Sequence, residues 1–337
     1  MALGTASPYG TETDSITVII INYNTREELQ GCLGSIKPAE ASEVIVVDNH
    51  SSDDSAAMVQ SKYPWVTLLA NKTNIGYGAA ANQAIATSTA RYVVLLNSDT
   101  VLQPGGLKAL SHYLAQHPRA AIVGPRLENS DGTVQASCYP FPTPLDTFLE
   151  NSTVAIFLGR RIRRYVPAIR GLYLRTWPHD SARIVPWVKG AALAIRREAF
   201  DAVGGFDESF FMYFEDADLC YRLGKVGWET HFAPVTTVVH VGGASTDQIR
   251  GDMAVQLLHS TNLFYQRRSS RLSIAVMSVI VKSLMLARWV SGTIHLAFTS
   301  DVNRRSAIAE NIAASKKVLL GNRQGTSALI DQNEHRT

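Results

Sequence analysis

The sequence predicts an α/β fold around a mostly parallel sheet flanked by helices, and three observations predict it. Apolar, largely β-branched runs recur at Ile16–Ile21, Val44–Val47 and Tyr92–Leu96 with no polar face, as in strands covered on both sides. Amphipathic stretches opened by turn residues alternate with them over short loops, the order that builds parallel sheets. Asp48 and Asn97-Ser98-Asp99 close two of the runs, at the carboxyl ends of strands where such sheets bind ligands.

The first strand, Ser15 to Asn22, leads into Thr25-Arg26-Glu27-Glu28, which reads as a capping box opening a helix with Leu29, Cys32 and Leu33 on one face. Glu43 to Val47 is a second strand ending at Asp48, and Ser52-Asp53-Asp54-Ser55 caps a second helix. Trp65 to Leu69 is a third strand and Tyr77 to Thr87 a third helix. Arg91 to Leu96 is the fourth strand, and Pro104-Gly105-Gly106 starts a helix through Leu114. From Cys138 to Pro186 the periodicity fails in a stretch rich in proline, arginine and aromatics, an irregular excursion able to contact a substrate.

Order returns over Trp187 to Ile195. Arg197 to Val203 is helical, and Gly204-Gly205 ends it. Phe214-Glu215-Asp216-Ala217-Asp218 then sets three carboxylates in an apolar, aromatic setting. Read alone, it is equally an acidic first helical turn above a Leu219, Cys220 and Leu223 stripe or a chemical site. Val235 to Val239 is a strand ending at His240. Ser273 to Phe298 is largely apolar but interrupted by Lys282, Arg288 and His295. Its longest unbroken stretch is short of the roughly 20 apolar residues of a membrane span. An interfacial amphipathic helix is the first reading, with a spanning and an ordinary packed helix as alternatives.

Apolar residues make up 46% of the 337 and charged residues 18%, which allows a sizeable core and excludes wholesale disorder. The net charge of +3 is uneven. Residues 1–250 hold 21 Lys/Arg against 24 Asp/Glu, and residues 251–337 hold 11 against 5. The basic C-terminal part, and the cluster Arg160, Arg161, Arg163 and Arg164, suit anionic lipid or a phosphate-bearing acceptor, or are solvated faces. Three scattered cysteines, Cys32, Cys138 and Cys220, form neither a disulfide framework nor a zinc spacing and point to a reducing compartment. Met1 to Asp14 is polar and lacks the apolar core of a signal peptide.

The strand-end acids suggest chemistry. A carboxylate after the second strand can accept hydrogen bonds from a nucleobase or ribose. One in an Asn-x-Asp turn can hold a hard cation, Mg²⁺ or Mn²⁺, which needs only one or two protein carboxylates beside substrate phosphates. Singly, each is more simply an Asx-turn. Together they suit a nucleoside diphosphate.

Six motifs occur in one order: Ile20-Ile21-Asn22-Tyr23-Asn24, Val47-Asp48-Asn49-His50-Ser51-Ser52-Asp53, Asn74-Ile75-Gly76-Tyr77-Gly78 with Asn82, Leu96-Asn97-Ser98-Asp99-Thr100, Gly205-Phe206-Asp207-Glu208 and Phe214-Glu215-Asp216-Ala217-Asp218. Over residues 15–245 the chain resembles the inverting glycosyltransferases of family 2, which have the GT-A fold, and among them the bacterial rhamnosyltransferase-like members. Each motif is weak; six in order are strong.

The resemblance implies that Asn22, Tyr23, Asn24 and Asp48 hold the nucleobase and ribose, with Asn74, Gly76, Asn82, Asn97 and Ser98 also on the nucleotide. It implies Asp99 and His240 as metal ligands, although His240 is also readable as a packed polar residue. Asn97 stands where many relatives have aspartate, one charge fewer on the metal. Asp216 is the expected base that takes the proton of an acceptor hydroxyl, Glu215 is second, and Asp218 is structural. Trp187, Gly190 and Ala191 are expected beside the donor sugar or acceptor.

Also expected are a dTDP- or UDP-linked sugar donor, rhamnose first, and a glycan or polyprenyl-diphosphate-linked acceptor. The resemblance implies no nucleic acid and a cytoplasmic enzyme at the inner face of the plasma membrane; it leaves the oligomeric state open. The expected divisions are a flexible 1–14, a GT-A domain over 15–250 with a nucleotide-sugar half (15–125) and an acceptor half (126–250), a helical extension over 251–320 and a disordered 321–337. A non-catalytic nucleotide-sugar or carbohydrate-binding module would not need the acidic base. A nucleotidyltransferase or a dinucleotide-binding dehydrogenase would carry a glycine-rich phosphate loop where Asn22-Tyr23-Asn24-Thr25 stands.

Overall fold

A computed structural model describes residues 15–141, 177–242, 250–268 and 271–298, with a few positions between 305 and 319. The arginine cluster of residues 160–164, the N-terminal 1–14 and the tail 321–337 lie outside the described residues, as does most of the irregular excursion.

The chain divides into two compact units. The first is built on a ten-stranded sheet. β1 (Ile16–Asn22), β2 (Glu43–Asp48), β3 (Thr67–Ala70) and β4 (Tyr92–Asn97) pair in parallel in the order β3-β2-β1-β4. The helices α1 (Arg26–Ser35), α2 (Ser55–Lys62) and α3 (Tyr77–Thr87) connect them. β1 shows why: Ile16, Val18 and Ile20 enter one apolar cluster and Ile19 and Ile21 the other, so every side chain of the run is covered.

Past β4 the sheet becomes mixed. β5 (Thr100–Leu102), α4 (Gly106–Gln116) and β6 (Ala120–Glu128) come next in the chain. The sequence predicts no element at β6, because Gly124-Pro125 interrupts its run. Gly124 is there for closeness: a Cβ on it would meet Val188 Cβ at 2.9 Å. Three two-residue strands follow, β7 (Val134–Gln135), β8 (Cys138–Tyr139) and β9 (Arg183–Ile184), then β10 (Trp187–Val188), β11 (Ala192–Arg196) and α5 (Arg197–Ala202). β11 runs antiparallel between β4 and β6, departing from a purely parallel order. α6 (Glu215–Lys225) and β12 (Glu229–His240) complete the unit, with β12 parallel to β6 and antiparallel to β5.

Two expected caps are built differently. Thr25 precedes α1, but its hydroxyl bonds to Asn22 Oδ1 (2.8 Å) and Ser98 Oγ (2.6 Å) and caps nothing. At α2, Asp53 accepts from Ser55 N (3.1 Å) and from Arg26 N (2.8 Å), tying the two helix starts together. All three cysteines are free and buried.

The second unit contains α7 (Arg250–Arg268) and α8 (Arg271–Phe298), which pack on each other, and the segment Phe210–Phe214. Ser260 Oγ donates to Met212 O (2.7 Å), and Phe214 lies 5.6 Å from Phe264, ring to ring. Tyr213 and Phe214 both have a φ of 68°. Within α8, Ile274–Ala297 is long and apolar enough to cross a membrane by length and composition, despite the charges inside it.

Candidate active site

The ends of β1 and β2 are tied by side chains. Asn22 Nδ2 donates to Asp48 Oδ1 (2.8 Å) and to Ser51 Oγ (3.1 Å), and Ser51 N donates to Asp48 Oδ2 (3.0 Å). Asp48 and Asn22 are both buried. Asn24, with a φ of 51°, donates its N–H to Ser51 Oγ and accepts from Ser52 N at 2.7 Å. The amide-rich sequence of this corner thus builds a rigid shelf in which each polar side chain fixes the next. Ser98 joins it through Thr25.

The Asn74–Asn82 segment begins with an Asx-turn, Gly76 N to Asn74 Oδ1 at 3.0 Å, and Gly76 has a φ of 86° that a side chain would strain. Asn82 lies one helix face further on. Its amide exchanges bonds with Phe206 N and O (2.9 Å each) and with Glu208 Oε1 (2.9 Å). The Gly205-Phe206-Asp207-Glu208 motif is therefore packed against α3, and Asn82 is used internally.

Asp99 follows β4 in the turn to β5, and His240 ends β12, which pairs with β5. Although 141 positions apart, His240 Nε2 and Asp99 Oδ1 stand 3.3 Å apart, both residues buried. Asp99 Oδ2 accepts from Gly242 N at 3.0 Å. Burial alone would raise the Asp99 carboxyl, but the His240 hydrogen bond and charge and the Gly242 N–H bring it below the ordinary carboxylate value.

Gln135 fixes the imidazole. Its Nε2 donates to Asn129 Oδ1 (2.8 Å) and His240 O (3.3 Å), so its Oε1 must accept the His240 Nδ1–H at 2.6 Å. In the neutral imidazole, Nε2 then turns a lone pair toward the Asp99 carboxylate. Two acceptors so close require a proton or a cation between them.

The other acidic pair begins α6. Asp216 Oδ2 accepts from Gly190 N (2.8 Å) and Oδ1 from Ala217 N (2.7 Å). A Cβ on Gly190 would stand 3.2 Å from that Oδ2. Burial pushes the Asp216 carboxyl up to about 6, against the lowering effects of those N–H groups and of Lys189. Glu215 is 7% exposed, and its Oε2 is buried with no hydrogen-bond partner. Burial and the neighbouring Asp216 charge push it well above the carboxylate range. A neutral Glu215 beside a half-buried Asp216 leaves the aspartate as the group able to take a proton near neutral pH.

Tyr77 and Gly190 link the halves. Tyr77 Oη donates to Gly190 O at 3.2 Å, and burial together with Glu215, Asp216 and Asp99 raises its phenol, so it remains a neutral donor. Ala191 O accepts from Asn97 N (2.9 Å). Trp187 donates its Nε1–H to Pro140 O (2.8 Å) and stacks on Tyr139, ring centroids 4.8 Å apart.

Lys189 and Gln135 are members of this cluster that motif reading does not single out, and Tyr77 lies in a quoted motif without an assigned role. Lys189 is visible in retrospect as the one charge in the Trp187–Ile195 run; Gln135 carries no signal.

Two family models match the chain, glycosyl transferase family 2 over residues 17–166 and glycosyl transferase family group 2 over residues 92–302. The chain belongs to glycosyltransferase family 2. Among curated proteins, this glycosyltransferase is similar to the N-acetylglucosaminyl-diphospho-decaprenol L-rhamnosyltransferase of Mycobacterium tuberculosis, with 31% identity over 77% of this chain and 86% of the relative. It is also similar to a low-salt glycan biosynthesis hexosyltransferase of Haloferax volcanii, with 24% identity over 82% and 85%. Of solved structures, GalNAc-T7 with UDP, GalNAc and Mn²⁺ superposes with a TM-score of 0.50 at 14% identity, covering 76% of this chain and 51% of that one; the likeness is one of fold.

Among the described residues, no group of three or more His, Cys, Asp or Glu gathers around one point. The Asp99–His240 pair nevertheless has a donor set that fits Mg²⁺ or Mn²⁺, because such an ion completes its shell with water and substrate phosphate.

Proposed function

We propose that this family 2 glycosyltransferase transfers rhamnose, with inversion, from a nucleoside diphosphate donor to a hydroxyl of a polyprenyl-diphosphate-linked glycan. The observation that carries the mechanism is the split between two acidic pairs, one set up to share a cation and one to exchange a proton. Asp216 is the base. Its carboxylate is held by the Gly190 and Ala217 N–H groups and accepts the proton of the acceptor hydroxyl as that oxygen attacks the anomeric carbon. The bond to the diphosphate breaks on the opposite face. Glu215 stays protonated and adds no second negative charge beside the base.

Asp99 and His240 would hold the divalent cation, which when bound neutralises charge on the leaving diphosphate. The Asn22–Asp48–Ser51 shelf supports the nucleoside. Rhamnose and the lipid-linked acceptor come from the name of the mycobacterial relative. α8 supports work at a membrane surface, since Leu272, Val276, Val279, Leu286, Val290 and Ile294 are exposed.

A donor panel tests the reading: dTDP-rhamnose, UDP-glucose, UDP-galactose and UDP-N-acetylglucosamine, each with N-acetylglucosaminyl-diphospho-decaprenol and Mg²⁺ or Mn²⁺, scored for nucleoside diphosphate release. dTDP-rhamnose is expected to lead. A UDP-hexose leading instead would replace the donor and keep the mechanism. Release from no donor would return the chain to a binding role.

A further inference from the structure

Asp99 and Asp216 bring negative charge to this site, and among the described residues the cation whose charge reaches both is Lys189, its ammonium lowered by burial and supported by those two acids. Its place is set on several sides. Its backbone N–H donates to Ser137 O (2.8 Å), and its Nζ donates to Gln135 Oε1 (3.3 Å), the oxygen that also takes the His240 Nδ1–H. The next residue, Gly190, gives its N–H to Asp216 Oδ2. Lys189 is thus one peptide unit from the clamp on Asp216 and one hydrogen bond from the residue that orients His240.

We propose that Lys189 is a positioning residue for the transfer reaction, whose ammonium, anchored on Gln135 beside the Gly190 clamp, keeps Asp216 ionised so that it can accept the acceptor's proton. This rests on Asp216 being the base. The groups facing Asp216 are Glu215 and Cys220 from α6, Tyr77 from α3 and Lys189 from the end of β10. Asp99 meets it through their shared neighbours Lys189 and Tyr77. Of these, Lys189 is the positive one. Burial favours protonation of Asp216, and the lysine opposes it, together with the N–H groups on its carboxylate.

The test needs no substrate. In protein labelled with ¹³C at the aspartate carboxyls, the Asp216 resonance is found by its loss in Asp216→Asn and titrated in the full chain. Lys189→Met is expected to raise its midpoint by about one unit, within the range for loss of a nearby opposite charge. Lys189→Arg is expected to bring it back toward the wild-type value. Lys189→Gln is a second neutral variant that keeps a hydrogen bond to Gln135, so the measurement survives if Lys189→Met does not fold. An Asp216 midpoint that stays put in both neutral variants would overturn the proposal. The acid limb of kcat/KM, measured with dTDP-rhamnose, should move with the resonance. Turnover lost equally at every pH, with the midpoint unmoved, rejects the positioning role and leaves the base assignment standing. Full turnover by Asp216→Asn rejects the base assignment itself.

Discussion

Asp99 and Asp216 are both aspartates of the same compact unit, yet the protein drives them in opposite directions. Asp99 is met by an imidazole, itself held by Gln135, and by the Gly242 N–H, and it ends below the ordinary carboxylate range. Asp216 also accepts two N–H groups, but burial outweighs them, and it ends near 6. The difference teaches that burial alone does not set the role of an acid. An imidazole and an N–H aimed at the carboxylate lower one; desolvation without enough partners raises the other.

Breaking the proton side should cost most. Asp216→Asn is expected to lower transfer by about 10²–10⁴-fold, the usual value of a positioned base, while donor binding followed by calorimetry survives. The cation side comes next. Asp99→Ala should lower metal-stimulated turnover about 10²-fold, and wild-type turnover unchanged in excess EDTA would falsify a metal role for this pair.

A smaller change sharpens the contrast from behind. Gln135→Leu leaves both acids in place but frees the imidazole, and should weaken Mn²⁺ binding about 10–100-fold, read by titration of the metal. Turnover at saturating Mn²⁺ should change less than affinity does.

The smallest effect is on stability. Folded Asp216 keeps its proton up to about pH 6, while the unfolded chain releases it near the ordinary aspartate value of 3.8, so the folded state binds more protons between them. Stability therefore falls as pH rises through that window, and at pH 7.5 the ionised group is a burden. Asp216→Asn should raise stability there by about 1–2 kcal/mol. An unchanged or lower Tm at pH 7.5 would argue that the lost Gly190 and Ala217 bonds outweigh the relieved desolvation.

The parallel half of the fold was legible because its strands are buried on both faces, and a polar residue ending such a run stands out. Asp48 and Asp99 stand out that way. The mixed half was harder. β6 hides behind Gly124-Pro125, and nothing in Ala192–Arg196 tells an antiparallel partner from a parallel one. The Thr25 cap failed for a related reason: a local motif lost its hydroxyl to Ser98, a residue 73 positions away. Gln135 was invisible because its meaning lies wholly in His240, 105 positions later.

The approach to α6 has one more consequence. Tyr213 and Phe214 both hold a left-handed backbone that costs a non-glycine residue on the order of 1–2 kcal/mol. Neighbours such as Ser260 on Met212 and Phe264 on Phe214 keep the segment in place. A chain bent against its own preference relaxes early when its surroundings loosen. The amide protons of Tyr213 and Phe214 should then act as a clock, their exchange with heavy water timing how often this strained segment lets go, whether or not a sugar is ever transferred.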